Sequence, residues 1–264
     1  MKKLIFVNQK GGSGKSILSY NMAHCLADSG QRVLFVDADE QANSSKSLAA
    51  HLAPPSAGDL FGDTPIKRLA ASQNIALLRG SAALREVERS DKSDVEMVMT
   101  VRARLADIAH EFDYCVIDTP GSNSRVANAL LVASDFALIP CKIDPYSISV
   151  AGVMLKRIKF IQGKWNQGLI NLGILANEYD ARQPAQVAGL KQLMSGYRDF
   201  MLPAFVVDRS AYREACGAGV PVWRLEADSD EDGGKGKVKT AARVAGHEIK
   251  AVFKMIQDKM EAKS

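Results

Sequence analysis

A glycine-rich segment near the start of the chain carries residues suited to binding a phosphorylated ligand. It reads Asn8-Gln9-Lys10-Gly11-Gly12-Ser13-Gly14-Lys15-Ser16. Glycines at this spacing allow backbone N–H groups to point at an anion. Lys15 can reach the outer phosphates of a nucleotide, and the Ser16 hydroxyl can ligate Mg²⁺. The segment therefore predicts a phosphate-binding loop.

Carboxylates follow two apolar runs further along the chain. Asp37 and Asp39 come after residues 33–36, and Asp118 comes after residues 114–117. Because ligand-binding groups of open α/β sheets collect at the carboxyl ends of strands, we expect these acids near the phosphate-binding loop. Asp118 would bind Mg²⁺ directly or through water. Of the other two acids, one could hold the water shell of Mg²⁺ and the other could orient the attacking water.

The segments around these residues predict the elements that position them. Residues 3–7 are a short apolar run typical of a buried strand, and residues 17–28 place apolar side chains at helical spacing. Similar strand-like runs alternate with helical patterns down to residue 207, which favours an α/β fold with a doubly wound, mostly parallel sheet flanked by helices. Residues 43–53 are predicted to form a short helix, and the stretch from there through residue 65 a surface loop.

Composition narrows the class of protein. The 264 residues are 47% hydrophobic and 24% charged, with a formal net charge of +4, so nucleic-acid affinity would need locally clustered cations. Four widely separated cysteines favour reduced thiols over a disulfide scaffold or a zinc site. The four histidines are equally scattered, so we expect no metal cluster beyond the magnesium ion. No apolar run approaches about 18 residues, so neither export nor membrane spanning is indicated and we expect a cytoplasmic protein.

The loop departs from the general P-loop pattern in an informative way. Gln9 stands where that pattern has glycine, and Lys10 directly precedes the glycine pair. The sequence Lys-Gly-Gly-x-Gly-Lys-Ser resembles the deviant Walker A motif of the ParA/MinD family of ATPases. The resemblance implies ATP/ADP and Mg²⁺ as cofactors, and a Lys10 that crosses a dimer interface to the partner's nucleotide, as an arginine finger does. The alternative is that Lys10 is a solvated loop lysine.

The segment Asp37-Ala38-Asp39-Glu40-Gln41-Ala42-Asn43 is similar to the family's Asp-x-Asp-Pro-Gln-Gly-Asn. The resemblance assigns hydrolysis to Asp39 and places Asp37 with Ser16 and Asp118 at the metal. Glu40 replaces the family's proline and Ala42 replaces its glycine, which leaves the local loop shape open.

The second half of the chain supplies residues for the nucleotide base. Asn177 stands where family members often read adenine, although a plain turn asparagine also fits. The stretch from residue 205 to residue 222 resembles the family's last block, whose loop closes over the base. The nucleotide-binding residues implied by the resemblance are Lys10, Gly11, Gly12, Ser13, Gly14, Lys15, Ser16, Ile17, Asn177, Val207 and Asp208.

The chain divides into an ATPase domain (1–225), a charged flexible linker (226–236) and a basic amphipathic helix (237–264) that we expect to pack on the ATPase domain. At about 100° per residue, one stripe of this helix is apolar and its cations lie on another face. The predicted DNA-binding cations are Lys239, Arg243, Lys250 and Lys254, with Arg209 and Arg213 extending the surface. A packed helix with a solvated basic side fits the same pattern.

The resemblance spans residues 3–223 and implies a ParA-type ATPase. Such a protein dimerises on ATP, binds DNA without sequence specificity, and partitions or positions a plasmid, a chromosome or another cargo. A ParB-like centromere-binding or adaptor protein would stimulate its slow turnover. Because the chain starts almost at its P-loop strand, we expect no N-terminal helix-turn-helix domain.

Two other functions are compatible with parts of the sequence. A MinD-like membrane-surface switch would dock its C-terminal helix on anionic lipid. The apolar face of this helix uses alanine, valine, isoleucine and Phe253 without tryptophan, which favours packing against protein. An iron–sulfur ATPase would need cysteines close after the switch region, where Cys141 stands alone.

Overall fold

The structure is a computed structural model that describes residues 1–67, 69, 74–227 and 237–263. Eight strands form one sheet: β1 (Lys2–Phe6), β2 (Val33–Asp37), β3 (Leu52–Ser56), β4 (Ile75–Arg79), β5 (Tyr114–Asp118), β6 (Phe136–Lys142), β7 (Ile170–Tyr179) and β8 (Met201–Val207). Their order is β3-β4-β2-β5-β1-β6-β7-β8, and all neighbouring strands pair in parallel. The predicted doubly wound parallel sheet is therefore confirmed.

Helices cover both faces of this sheet. They are α1 (Lys15–Asp28), α2 (Asn43–Ser47), α3 (Ala83–Arg89), α4 (Asp94–Ile108), α5 (Arg125–Ala133), α6 (Pro145–Lys164), α7 (Pro184–Tyr197), α8 (Ser210–Gly217) and α9 (Thr240–Glu261). Capping fixes where two of them begin. Ser93 and Glu96 form a capping box at α4, and Asp144 caps α6 ahead of Pro145.

Alternate side chains of each strand enter two separate core layers. On β1, Ile5 packs with α4, α5 and α6, whereas Leu4 and Phe6 pack with α1, α8 and α9. Both layers are apolar, as expected for a parallel sheet covered on two faces. Within the described residues, no helix is long and apolar enough to cross a membrane.

Helix α9 lies in the second of these layers. Its buried residues are Ala242, Ala245, Gly246, Ile249, Val252, Phe253, Ile256 and Met260. Gly246 permits a close approach to Trp223, since a Cβ added there would lie 2.6 Å from the Trp223 Cβ. The Trp223 indole N–H donates to Asp28 Oδ2 at the end of α1, at 2.8 Å. These contacts hold α9 against α1 and the turn Val222–Arg224.

Two predictions were wrong in the segment after β2. The helix predicted over residues 43–53 ends at Ser47, and a 3-10 turn (Ala49–His51) leads into strand β3. This strand contains Pro54 and Pro55, which the sheet tolerates because β3 lies at its edge. The predicted surface loop includes a 3-10 turn (Ala57–Phe61) whose Leu60 is fully buried.

Helix α7 was not predicted. Only Leu193 of its residues is buried, so its sequence carries little of the periodicity that indicates a packed helix. The glycine-rich part of the predicted linker, residues 233–236, lies outside the described residues.

Candidate functional site

The phosphate-binding loop is held between β1 and α1 by a buried asparagine. Asn8 Nδ2 donates to the Pro140 carbonyl at 2.7 Å, and Asn8 Oδ1 accepts from the Lys10 N–H at 2.9 Å. Gly12 (φ 72°) and Gly14 (φ 87°) adopt left-handed backbone conformations, which glycine reaches without steric cost. The loop therefore has the cradle shape that its glycines predict, and it opens at the N-terminus of α1.

The side chain of Lys15 lies inside this loop. It is 5% exposed, and its Nζ donates to the Lys10 carbonyl at 3.3 Å. Burial lowers the pKa of Lys15, whereas the carboxylates of Asp118 and Asp39 oppose that shift. A buried cation between a glycine loop and two acids is suited to bind the outer phosphates of a nucleotide.

The carboxylates of Asp37 and Asp118 lie side by side at the carboxyl ends of β2 and β5, where the two residues are register partners. Burial raises the pKa of Asp118 to about 7, and the neighbouring Asp37 carboxylate adds to that shift. Burial also raises the pKa of Asp37. Two buried carboxylates on neighbouring strands need a compensating positive charge to remain ionised together.

The donor set around Asp118 fits a magnesium ion. Asp118 Oδ2 accepts from the Ser44 hydroxyl at 2.7 Å, while Asp118 Oδ1 is buried with no hydrogen-bond partner among the described residues. The Ser16 hydroxyl lies close enough to stabilise the ionised carboxylate. Mg²⁺ prefers few protein oxygens plus water and phosphate, and the described residues show no group of three histidines, cysteines or acids placed to hold a metal. Asp118 and Ser16 would therefore hold the ion with the nucleotide.

Two serines after β2 were missed by the sequence analysis. Ser44 contacts Asp118, and Ser45 donates from its hydroxyl and its N–H to Asp37 Oδ2 at 2.6 and 2.8 Å. Ser45 Oγ also accepts from the Gly80 N–H at 2.9 Å. Helix α2 therefore ties both acids to the segment after Asp39. Nothing in the local sequence indicates these contacts, because they join side chains of α2 to the ends of two strands and form only when the chain folds.

Asp39 lies on the loop between β2 and α2 and is half-buried. Its Oδ1 accepts from the Gln41 N–H at 3.0 Å, which leaves the other carboxylate oxygen to act on water. Glu40, the replacement for proline, pairs with Arg85 of α3 at 2.9 and 3.0 Å. Ala42, the replacement for glycine, keeps a left-handed backbone with φ 53°. The backbone at residue 42 thus keeps a conformation that favours glycine, although an alanine stands there.

The loop after β5 touches the phosphate-binding loop directly. A Cβ added to Gly121 would lie 2.7 Å from Gly11 Cα and 2.8 Å from its nitrogen. Only glycine fits at this approach, so the two loops pack backbone against backbone. Asn123, two residues later, accepts from Arg157 of α6 at 2.8 Å.

Lys10 points away from its own phosphate-binding loop. Its Nζ lies 2.8 Å from Asp144 Oδ2 and 2.8 Å from Ser147 Oγ at the start of α6, and 5.2 Å from the centre of the Tyr146 ring. Burial would raise the pKa of Asp144, but hydrogen bonds from Lys10 and Ser147 outweigh it and lower the pKa to about 2. Lys10 is thus an ion-paired lysine at the rim of the site. No role was predicted for Asp144 or Ser147.

Asn177 lies against the phosphate-binding loop at the end of β7. It is 3% exposed, and its Nδ2 donates to the Ser13 carbonyl at 2.9 Å. This hydrogen bond leaves Oδ1 as the amide's remaining acceptor. The next residue, Glu178, has φ 53° and pairs with Lys142 at 2.6 Å. Neither Glu178 nor Lys142 was predicted from the sequence.

The other residues predicted to lie near the base are Val207 and Asp208. Val207 ends β8 opposite Tyr179 of β7, and Asp208 follows it. Val207 is half-buried and Asp208 is exposed. The Asp208 N–H donates to the Tyr179 carbonyl at 3.2 Å, and Asp208 lies 3.4 Å from Arg213. Arg209 makes a two-point contact with Glu248 of α9 at 2.6 and 2.9 Å, which links this loop to the C-terminal helix.

Three of the four cations predicted to bind DNA on or just before α9 are engaged within the described part of the chain, and the fourth, Arg243, is exposed. Lys254 lies 2.7 Å from Asp258, and Lys239, just before the helix, lies 3.2 Å from Glu214. Lys250 Nζ stands 4.3 Å from the centre of the Trp223 ring. Surface ion pairs of this kind contribute roughly 0–1 kcal/mol. A phosphate could therefore replace the carboxylates at small cost.

Comparisons with known proteins show what the chain is similar to. A family described as an AAA domain matches residues 1–171. Protein IncC of Escherichia coli is 32% identical over 266 residues, covering 99% of this chain and 70% of the relative. The chromosome-partitioning ATPase Soj of Treponema pallidum is 27% identical over 240 residues, covering 86% of this chain and 90% of Soj.

The fold also matches a solved structure. The McdA–ATP complex from Cyanothece superposes with a TM-score of 0.80 and 20% sequence identity, covering 97% of this chain and 96% of McdA. At this identity the likeness shows a shared fold.

Proposed function

Because the chain belongs to the ParA/MinD family of P-loop ATPases, we propose that it is a ParA-type ATPase that dimerises on ATP and binds DNA non-specifically. In this function the dimer drives partition or positioning of a plasmid, a chromosome or another cargo. A ParB-like centromere-binding or adaptor protein stimulates its weak hydrolysis. One observation carries the proposal: four side chains lie together at the carboxyl ends of the strands, namely Lys15, Asp37, Asp39 and Asp118. Lys10 lies at the rim of this site.

The chain's own residues divide the work as follows. The amides of residues 11–16 and the buried Lys15 would hold the triphosphate, while Ser16, Asp37 and Asp118 would hold Mg²⁺. Bound there, the ion would supply charge stabilisation to the phosphate oxygens. Asp39 orients the attacking water and accepts its proton. Asn177 presents a fixed acceptor oxygen to the amino group of adenine, with Val207 and Asp208 beside the base.

The position of Lys10 at the rim of the site supports the proposed dimerisation on ATP. Its Nζ is held by Asp144 and Ser147, and its side chain is only a quarter exposed. A partner's nucleotide would compete with Asp144 for this cation. The site is completed only when the exchange occurs, which accounts for slow turnover by the isolated subunit.

DNA binding is assigned to Arg209, Arg213, Lys239, Arg243, Lys250 and Lys254, on or beside α9. The apolar stripe of α9 is buried in the core, which leaves little apolar surface to insert in lipid and favours DNA over a MinD-like role. Each phosphate contact would release about one counterion, so binding should weaken steeply with salt.

The test measures ATP hydrolysis and binding to random-sequence duplex and to anionic liposomes. Wild type should retain duplex only with ATP and Mg²⁺. Lys250→Glu/Lys254→Glu should lose duplex while keeping its ATPase activity, and Lys15→Ala should lose nucleotide binding. ATP-dependent retention on liposomes without DNA binding would instead support the MinD-like role. ATP affinity unchanged by Lys15→Ala would remove the P-loop assignment.

A further inference from the structure

A second basic surface lies on the side of the sheet away from the nucleotide site. It is a cleft of about 920 Å³ whose floor is the start of β7, from Ile170 to Gly173. The phosphate-binding loop follows the carboxyl end of β1, and β1, β6 and β7 run parallel. The amino end of β7, and with it the cleft, therefore lies at the opposite end of the strands from the phosphate-binding loop.

The walls of this cleft come from α6, from the end of α7 with the segment after it, and from the end of α9. Gly152 of α6 lets Tyr197 close one wall, because a Cβ at Gly152 would lie 2.2 Å from the Tyr197 hydroxyl. Phe200 continues that wall with 48% of its side chain exposed. The cleft is thus a concave surface with an exposed aromatic ring at its edge.

Four lysines line the cleft in two pairs. Lys156 and Lys159 stand one turn apart on α6, whereas Lys259 lies in the last turn of α9 and Lys263 lies just beyond its end. Asp199 is the one acid among the described lining residues. Four lysines against one aspartate give a formal local charge of 4 − 1 = +3.

These lysines differ from the cations assigned above to DNA. Across the described residues, Lys156, Lys159 and Lys263 make no ion pair or side-chain hydrogen bond. Lys259 donates to the Leu172 carbonyl at 2.6 Å, and burial together with Lys263 lowers the pKa of its ammonium group. Apart from Asp199, the cleft therefore concentrates positive charge without carboxylates like those that pair with cations on α8 and α9.

We propose that this cleft binds the phosphate backbone of a nucleic acid. The inference rests on the proposed DNA-binding function and adds a second contact surface to it. Lysines spread over two walls act as separate point charges, as in sequence-independent backbone contacts. The cleft has no arginine fork and no described helix N-terminus to select a small phosphate compound. Phe200 offers a stacking platform to an unpaired base. A flat bilayer could not follow a concave wall.

The experiment uses the full chain with ATP and Mg²⁺ and measures fluorescence anisotropy of labelled duplex and of labelled single-stranded oligothymidylate over a range of salt. Lys156→Glu/Lys159→Glu should weaken binding at least tenfold. The salt slope should fall by roughly two per subunit, since each lost lysine contact removes about 0.9. Lys156→Arg/Lys159→Arg should restore binding. Lys164→Glu/Lys191→Glu changes the same charge on exposed lysines outside the cleft and should bind like wild type.

A second readout does not depend on the substitutions. Nucleic acid should protect Lys156, Lys159 and Lys263 of wild type from acetylation more than it protects Lys164 and Lys191. Equal protection, or equal loss of binding in the cleft and control variants, would overturn the proposal.

Further outcomes separate this proposal from the proposed function. Binding lost in Lys250→Glu/Lys254→Glu but kept in the cleft variant overturns the cleft and leaves the proposed function intact. Binding that needs the cleft lysines but ignores ATP supports the cleft and overturns the ATP switch. Cleft-dependent binding to phosphatidylglycerol vesicles with no binding to either oligonucleotide would assign the lysines to lipid.

Discussion

Lys10 and Asp144 form an ion pair within one subunit, with Lys10 Nζ 2.8 Å from Asp144 Oδ2 and 3.0 Å from Oδ1. The lysine that would complete a partner's site is therefore already ion-paired within its own subunit. The two side chains are 25% and 38% exposed, so the pair is only partly shielded from solvent and its net stabilisation is small.

Asp144→Asn should strengthen ATP-dependent dimerisation. Asparagine keeps the cap of α6 but removes the charge that competes for Lys10. A pair worth about 0.2–1 kcal/mol predicts a dimer constant tighter by about one and a half- to fivefold per site. Sedimentation velocity with ATP and Mg²⁺ measures it, with Asp63→Asn, which breaks the Lys92 pair, as control. Weaker dimerisation would mean that Asp144 supports the dimer.

Lys10→Ala should bind ATP as a monomer and fail to dimerise, because the cation supplied to the partner is gone. Nucleotide titration and size exclusion test the two steps separately. Mixing this variant with Lys15→Ala subunits should restore one competent site. Full ATP-dependent dimerisation by Lys10→Ala alone would contradict a role across the interface.

Asp39→Ala should bind ATP within a few-fold of wild type but turn it over at least about 100-fold more slowly, the usual scale of a lost general base. The ATP-bound dimer should accumulate. Single-turnover hydrolysis and size exclusion check both effects. A variant that stays monomeric under conditions where wild type dimerises would assign Asp39 to assembly.

Ala42→Gly should stabilise the fold. A residue with a Cβ destabilises the folded state by about 1–2 kcal/mol in the left-handed region, and glycine would remove that strain. Glycine also has more conformational freedom in the unfolded chain, which lowers the stability by about 0.5–1 kcal/mol. The expected rise in the free energy of unfolding is the difference of these two terms, about 0–1.5 kcal/mol. Ala251→Gly, at an exposed position of α9, should instead lose about 1 kcal/mol. Denaturant melts compare them, and equal losses would show that Ala42 is unstrained.

His24 should make the fold sensitive to acid. Its side chain in α1 is 4% exposed beside Tyr20 and His51, and burial, reinforced by His51 and Arg224, lowers the pKa of His24 to about 3. Above an unfolded pKa of about 6.5 both states are neutral. Below it the unfolded chain takes up the proton and the folded chain does not, so stability falls between about pH 6.5 and pH 3.

The measurement is the free energy of unfolding at several pH values. Wild type should lose up to about 1.4 kcal/mol per pH unit more than His24→Gln within that window. His247→Gln, at an exposed position, should keep the wild-type slope. Parallel curves for wild type and His24→Gln would show that His24 is protonated in the folded state.

How far the sequence predicted the structure depends on how local each signal was. The phosphate-binding loop and the strand-end acids were predicted because glycine spacing and apolar runs are read within about ten residues. The Ser44–Asp118 and Lys10–Asp144 contacts join residues 74 and 134 positions apart, so no local pattern reports them. Strand β3 was missed because its two prolines predict a break, whereas an edge strand accepts them.

Trp223 is packed where its fluorescence reports on the position of α9. Its indole N–H is bonded to Asp28, Lys250 lies over its ring, and Gly246 lies against its Cβ. The chain has two tryptophans, and Trp165→Phe would leave a single fluorophore at the junction of α1 and α9. Its emission would then follow the seating of α9 in real time while nucleotide binds at the other end of α1.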